Sequence, residues 1–279
     1  MRIKRICALT MCRNDEFYLR KWVEYYGSQL GKENLYIFFD GKDQVVPSFC
    51  EGTNVELVDK IPGKVVAFDR NRLNFLSDKA ERLFKRYNLV IGTDTDEYLI
   101  VDPSLGKSLK EFLSALEIDT SVSGLGVDVG QKLGEEGDIR EDMPFLQQRQ
   151  YARLSTRYTK PSVIARPVRW GSGFHRIKGH NYHIVKNLYL FHTGYFDMKR
   201  IESRFSDTTR FENAAQKHIK KRSKNIKLVS TRKAWKWEWM TAIARVMETI
   251  FRPPYAINKP SLLELALIVR IPERFRNII

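Results

Sequence analysis

ICALTMCRNDEFYLRKWVEYYGSQLGKENLYIFFDG, residues 6–41, sets two short apolar runs on either side of an amphipathic segment. Ile6, Cys7, Ala8 and Leu9 run together without polar alternation, as in a strand buried on both faces of a parallel sheet. The run stops at MCRNDE. From about Asp15 to Gln29 the period becomes helical, with Leu19, Trp22, Val23, Tyr26 and Leu30 on one face. Asn14 is placed to cap this helix, Asp15 and Glu16 suit the positive end of its dipole, and Gly31 suits its exit. NLYIFF is a second buried strand, closed by the turn signal DGKD. Two such strands joined by a helix make a parallel pair.

The pattern continues outward. NVELVDKI reads as a third strand. Over about 67–87, Phe68, Leu76, Ala80, Leu83, Phe84 and Tyr87 outline a helix with a basic face. NLVIG is a fourth strand and delivers the chain into DTDE. Strand–helix–strand–strand–helix–strand predicts an α/β domain with a mostly parallel sheet flanked by helices. Such sheets bind ligands at the carboxyl ends of their strands, and TMCRND, DGKD and DTDE all fall there. Further on, SVSGLGVDVG and NLYLFHTGYF read as strands and GEEGDIREDMP as an acidic loop. RLSTRYTKPSVIARPVRWGSGFHRIKG reads as short strands and loops. Residues 199–218 turn helical and polar, and two helix-like pieces follow, broken by RPPYAINKP.

The chain has 279 residues, 43% hydrophobic and 12% aromatic, enough for a core and against general disorder. The length suits one large domain, or one with an appendage. The formal net charge of +15 implies an anionic partner: nucleic acid, an acidic membrane face or a phosphorylated small molecule. Cys7, Cys12 and Cys50 form no C-x-x-C pattern, which favours a reducing, cytoplasmic location. MRIKRICALTMCRNDE is basic and then apolar, but too briefly for a signal peptide. No stretch approaches the roughly 20 apolar residues of a membrane span; SLLELALIVRIP is short and carries Glu264 and Arg270.

Asp94, Asp96 and Glu97 crowd into four positions after an apolar strand. Like charges gathered beside a core are costly unless a cation joins them. Two carboxylates one residue apart at a strand end can reach one divalent ion. Hard oxygen ligands suit Mg2+ or Mn2+, which keep positions open for phosphate oxygens. A solvated surface turn is the plain alternative reading of a lone D-x-D.

Residues 11–41 resemble the opening of bacterial glycosyltransferases of the family 2 type, which have the GT-A fold. LVIGTDTDEYLIVDP resembles their D-x-D strand, and KPSVIARPVRWGSGFHRIKG and LYLFHTGYFD resemble later segments of a glycosyltransferase-like subgroup. The resemblance covers most of residues 1–198 and not the tail. It implies a GT-A catalytic domain over 1–200, with a nucleotide-binding half to about 103 and an acceptor half from 104, then a helical basic extension over 201–279. It implies that Thr10, Cys12, Arg13, Asn14 and Asp15 line the nucleotide pocket and that Asp40 meets the base or ribose. Asp15 stands where these enzymes usually carry Glu. Asp94 would face the ribose or a metal-bound water, and Asp96 the metal on the diphosphate. The implied activity is transfer of a sugar from a nucleotide-sugar donor to a glycan or lipid-linked glycan, as in surface polysaccharide or lipopolysaccharide synthesis.

Arg70 and Arg72, on the basic helix, are candidates for the diphosphate, with a solvated helix face as the alternative. His192, ending the apolar run LYLFH, is a candidate further metal ligand or a core histidine. His175, His180 and His183 match no zinc spacing; His180 and His183 read as surface residues. The acceptor hydroxyl needs a base if the reaction inverts, yet residues 151–196 contain no Asp or Glu. Asp128 is the first carboxylate candidate, Asp138 and Glu135 follow, and His175 is the other option. Trp170, Gly173 and Phe174 sit in a loop that would meet the acceptor, with the two rings stacking on sugar or packing locally.

KNIKLVSTRKAWKWEWMTAIARVMETIFR mixes cations with three tryptophans. Trp235, Trp239 and Ile243 can share one helix face, with Met240 and Val246 beside it. The helix would either meet anionic lipid at the inner face of a membrane or pack on the domain, still offering its outer side to lipid. Two rival readings remain: a metal-dependent nuclease, and a basic membrane- or nucleic-acid-binding module whose acids only cap a turn. The three aligned strand ends speak against both, and nucleic acid is not the expected partner.

Overall fold

The structure is a computed structural model that describes residues 3–63, 65–177, 183–206, 223–251 and 266–279. The first strand, β1 (Ile6–Cys12), is buried along its whole length. Its alternate residues feed two cores: Ile6, Ala8 and Cys12 join one, and Cys7, Leu9 and Met11 the other. Helix α1 (Glu16–Leu30) covers the first face with Leu19, Trp22, Val23 and Tyr26. Helix α2 (Val65–Leu83) covers the second with Leu73, Leu76 and Ala80. Burying each such large side chain contributes about 1.5–3 kcal/mol, so the two helices fix the sheet between them. The α1 cap is Asp15 rather than Asn14. Asn14 takes the left-handed φ of 46° instead, and its N–H donates to Gln44 Oε1 at 2.9 Å.

Strands β2 (Leu35–Asp40) and β3 (Asn54–Val58) extend the sheet in parallel on one side of β1. β4 (Leu89–Gly92) joins in parallel on the other. The order β3-β2-β1-β4 is that of a doubly wound sheet, whose crevice opens between β1 and β4 at their carboxyl ends. This is the α/β architecture that the sequence pattern predicts.

After β4 the chain leaves this sheet. It turns through Thr93–Asp96 and begins β5 (Glu97–Val101), which pairs antiparallel with β9 (Ile184–His192). A short helix α3 (Leu109–Ala115), closed by a capping box of Ser108 and Glu111, leads to β6 (Ser121–Val129). β6 runs parallel to β9. Then come α4 (Phe145–Gln148), β7 (Tyr151–Leu154), antiparallel to β6, and β8 (Val163–Ile164), antiparallel to both β4 and β6. β8 thereby joins the two halves, and the described residues form one ten-stranded sheet flanked by helices.

The tail is α5 (Met198–Ser206), α6 (Lys224–Thr231), α7 (Trp237–Ile250) and β10 (Leu267–Arg270), the last antiparallel to β7. Helix α7 packs through Trp237, Thr241, Ala244 and Glu248. Trp237, Val269 and Phe275 join the core that holds Tyr189 and Phe191. LIVR, within a helix-like piece of the sequence, is a strand, because Leu267, Ile268 and Val269 pair along β7 and Pro272 stops them. His180, residues 207–218, the whole of RPPYAINKP and residues 261–265 lie outside the described residues. Among the described residues no helix is long and apolar enough to cross a membrane. Cys7, Cys12 and Cys50 are buried and unpaired by disulfide.

Candidate active site

A cavity of about 380 Å³ opens at the carboxyl ends of β1, β2 and β4. Met11, Cys12, Arg13, Asp15 and Asp40 line it from the first two strand ends, and Asp94, Thr95, Asp96 and Glu97 from the third. Phe68, Asp69 and Arg72 face it from α2. The second half contributes Arg157, Tyr158, Lys160, Gly173, His175, His192 and Tyr195.

Helix α1 holds the acidic turn from below. Trp22 Nε1 donates to Thr93 Oγ1 at 2.9 Å, Tyr25 Oη donates to the Leu99 carbonyl at 2.6 Å, and Tyr26 Oη accepts from Leu99 N–H at 2.9 Å. The turn closes on itself, with Glu97 N–H donating to the Asp94 carbonyl at 3.1 Å. Strand pairing then brings distant residues into one row. Glu97 on β5 lies opposite His192 on β9, His192 lies beside Asp128 on β6, and Asp128 lies opposite Arg153 on β7. His192 Nδ1 and Asp128 Oδ1 are 2.8 Å apart, Arg153 Nη2 donates to Asp128 Oδ2 at 3.2 Å, and Tyr158 stacks on the imidazole at 3.7 Å.

The three carboxylates divide into two kinds. Asp94 accepts from Arg72 Nη1 at 2.7 Å and from Lys160 Nζ at 3.2 Å. Burial would raise its pKa, but Arg72 and then Lys160 outweigh that and hold the carboxyl well below the usual carboxylate range. Lys160, itself 2% exposed, also makes an ion pair with Glu97. Burial, with the charges of Asp94 and Asp96, pushes Glu97 up to about 7 against the pull of Lys160. The third, Asp96, places its Oδ2 4.0 Å from His192 Nε2.

The residues suit a divalent ion. Ligand atoms of Asp94, Asp96 and Glu97 all lie within 4.8 Å of one another. The turn of His192 toward Asp128 commits Nδ1 and leaves Nε2 facing Asp96, the arrangement that orients metal-binding imidazoles elsewhere. Gly194 keeps the space open: a Cβ there would lie 2.2 Å from Asp96 Oδ2 and 2.8 Å from His192 Nε2.

No protein-family model matches the chain, and no curated protein matches it. Among solved structures it is similar to a mannosyltransferase from Pyrobaculum calidifontis in complex with GDP-Man and Mn2+. The identity is 13%, over 92% of this chain and 78% of that one, with a TM-score of 0.39. It is also similar to a mannose-1-phosphate geranyltransferase from Thermus thermophilus, at 10% identity over 96% and 74% of the two chains, with a TM-score of 0.28.

At the β1–β2 end of the cavity, Arg13 is clamped by the Asp40 carbonyl at 2.6 Å and by Asp43 at 2.8 Å. The Arg13 hydrogen bond draws Asp43 down to about 2. Asp40 is 2% exposed and accepts from Ile61 N–H at 2.6 Å through Oδ1. Thr10 is fully buried in β1 and stands outside the lining, as do Asn14 and the exposed Arg70. Of Arg70 and Arg72, the cavity receives Arg72.

The wall contributed by the second half differs from a reading by residue type. Trp170 and Phe174 are 3% and 0% exposed and pack edge to face in the second core, with Trp170 Nε1 donating to the Pro161 carbonyl at 3.0 Å. Their rings do not reach the cavity; Gly173 and His175 do. Burial, and then the Lys160 ammonium, push His175 down to about 3, so its imidazole is neutral near pH 7. Asp128 lies behind His192 with both oxygens engaged. Glu135 and Asp138 are on the loop after β6, paired with Lys132 and Lys199. His183 is exposed.

Lys160, Arg157, Tyr158 and Tyr195 were not singled out by sequence. Lys160 is a lone lysine before a proline, one of 48 Lys and Arg residues, and no spacing marks it. Its depth comes from β6: at Gly126 a Cβ would lie 2.3 Å from the Ser155 carbonyl and 2.4 Å from Thr159 N, so only glycine lets the 155–160 loop descend onto the site.

Proposed function

We propose that this protein is a metal-dependent glycosyltransferase of the GT-A kind, moving a sugar from a nucleoside diphosphate sugar to a saccharide or lipid-linked glycan. The observation that carries this reading is the Asp96–His192 gap, 4.0 Å wide and backed by Asp128, at the floor of the crevice where the sheet reverses its winding.

Asp96 and His192 would hold the ion, with Glu97 beside them. When bound, it would supply positive charge against the departing nucleoside diphosphate. The chain's own groups do the rest. Arg13 and Asp40 form the end of the cavity suited to the nucleoside. Arg72 and Lys160 neutralise Asp94, so this carboxylate does not repel phosphate entering the crevice. Arg157 faces the same space and is a guanidinium free of any role in the acidic turn's ion pairs. Asp128 acts as a positioning residue for His192, since both of its oxygens are spent on His192 and Arg153. The neutral His175, with a pKa near 3, is a weak proton acceptor and serves better to shape the acceptor side.

The test is thermal denaturation with a panel of nucleoside diphosphate sugars, with and without Mn2+. At a ligand concentration of 100 times Kd the expected rise is roughly 5–10 °C, seen only with the metal. Asp96→Asn and His192→Ala should each abolish it while leaving the ligand-free melting temperature within a few degrees. A panel in which no nucleoside diphosphate gives a metal-dependent rise overturns the proposal.

A further inference from the structure

Helix α7 divides sharply. Its inner side, Trp237, Thr241, Ala244 and Glu248, is buried. Its outer side carries Trp239, Ile243, Val246 and Ile250 at helical spacing, 71%, 40%, 51% and 66% exposed, flanked by exposed Trp235 and Phe251. Trp239, Ile243, Val246 and Ile250 in one stripe exceed the scattered exposure of an ordinary surface, and among the described residues nothing covers these four.

The charge around the stripe is one-sided. Arg232, Lys233 and Lys236 are exposed just before the helix, and Lys233 Nζ lies 5.2 Å from the Trp235 ring centroid. From residue 213 to residue 237 the sequence contains no Asp or Glu. The exposed Glu238 is paired, its Oε1 accepting from Arg274 Nη1 at 3.1 Å. An apolar helix face with two tryptophans and a basic border is complementary to an anionic bilayer surface: rings and aliphatic groups enter the acyl boundary while the cations stay among the headgroups. A second copy of this chain would bring like charges together.

We propose that α7 is an interfacial helix that seats the protein on an anionic lipid surface. The inner side of the same helix reaches the candidate site. Glu248 Oε2 accepts from Thr159 Oγ1 at 2.6 Å, and Thr159 stands between Tyr158 and Lys160, both lining the cavity. The lipid-seated helix is thus bonded directly to the loop at the acceptor side, which brings the cavity close to a lipid-borne substrate.

Full-length protein is sedimented with vesicles of phosphatidylcholine alone and of phosphatidylcholine with phosphatidylglycerol. Binding is expected only with the anionic lipid, with a blue shift of tryptophan emission and a loss at high salt. Trp239→Glu with Ile243→Glu should lower vesicle affinity at least about tenfold. Lys233→Glu with Lys236→Glu should remove the anionic preference. No binding, or anionic binding unchanged in the Trp239–Ile243 variant, overturns the proposal. So does a dimer in sedimentation equilibrium that the same variant dissolves. The nucleotide-sugar melting assay runs without lipid, so failure there leaves this inference standing, and failure on vesicles leaves the transferase reading standing.

Discussion

At Gly194 the backbone passes so close to Asp96 and His192 that a methyl group would press on both. Gly194→Ala therefore forces the carboxylate and imidazole apart while leaving the core untouched. Mn2+ affinity should fall about 10–100-fold, the usual loss when metal ligands are misaligned, as read from the free-ion signal in electron paramagnetic resonance. Unchanged affinity would show that no ion sits between these side chains. Lys160 presents the opposite case. Lys160→Met leaves the Asp94 and Glu97 carboxylates without their shared ammonium, and breaking a buried pair from one side costs about 3–5 kcal/mol. A urea denaturation midpoint within error of the parent would refute the counter-ion role. Sequence made Asp94 and Asp96 visible because acids beside an apolar strand are rare. Lys160 carried no such mark, since only the glycine-permitted descent of its loop gives it a role.

Among the elements, α1 shows how packing becomes positioning. Tyr26 belongs to the buried face of the helix, and its hydroxyl also accepts the Leu99 N–H and donates to the Glu97 carbonyl at 3.3 Å. Tyr26→Phe keeps the ring and strands the buried Leu99 N–H in the middle of β5. The expected cost is about 1–3 kcal/mol, with faster hydrogen exchange at the Leu99 amide as its local signature. Protection at Leu99 equal to the parent's would count against it. Strands β1, β2 and β4 and helices α1 and α2 were legible because period and burial agree in each. The β5-β9-β6-β7 row was not, because its partners lie up to about a hundred residues apart and register leaves no local trace. For that reason the sequence offers His192 as a candidate ligand and Asp128 as the first of several candidate bases, but not the contact between the two. Of the two readings open for the rings of Trp170 and Phe174, the structure has local packing: Gly92 on β4 has no side chain, and their rings fill that space beneath the cavity rather than entering it.

Over the whole molecule, the last residues lock the tail onto the sheet. Arg274 donates through Nε to Asp102 Oδ1 at 2.7 Å and through Nη2 to Oδ2 at 2.9 Å, and its third nitrogen reaches Glu238 at the start of α7. One guanidinium thus joins the end of β5, the C-terminal turn and the proposed lipid-facing helix. Burial alone would raise the Asp102 pKa, but the Arg274 hydrogen bonds and those of Ser104 hold it below its ordinary value. A carboxyl whose pKa is depressed on folding contributes stability above its unfolded value, near 3.9, and loses that contribution as pH falls through the folded value. Asp102→Asn should accordingly lower stability by about 1–3 kcal/mol at pH 7, and the gap between variant and parent should narrow as the pH falls below the unfolded value and through the lower folded one. Paired urea titrations at pH 7 and pH 3 measure both gaps. Equal gaps at the two pH values would mean that the clamp acts through shape rather than charge.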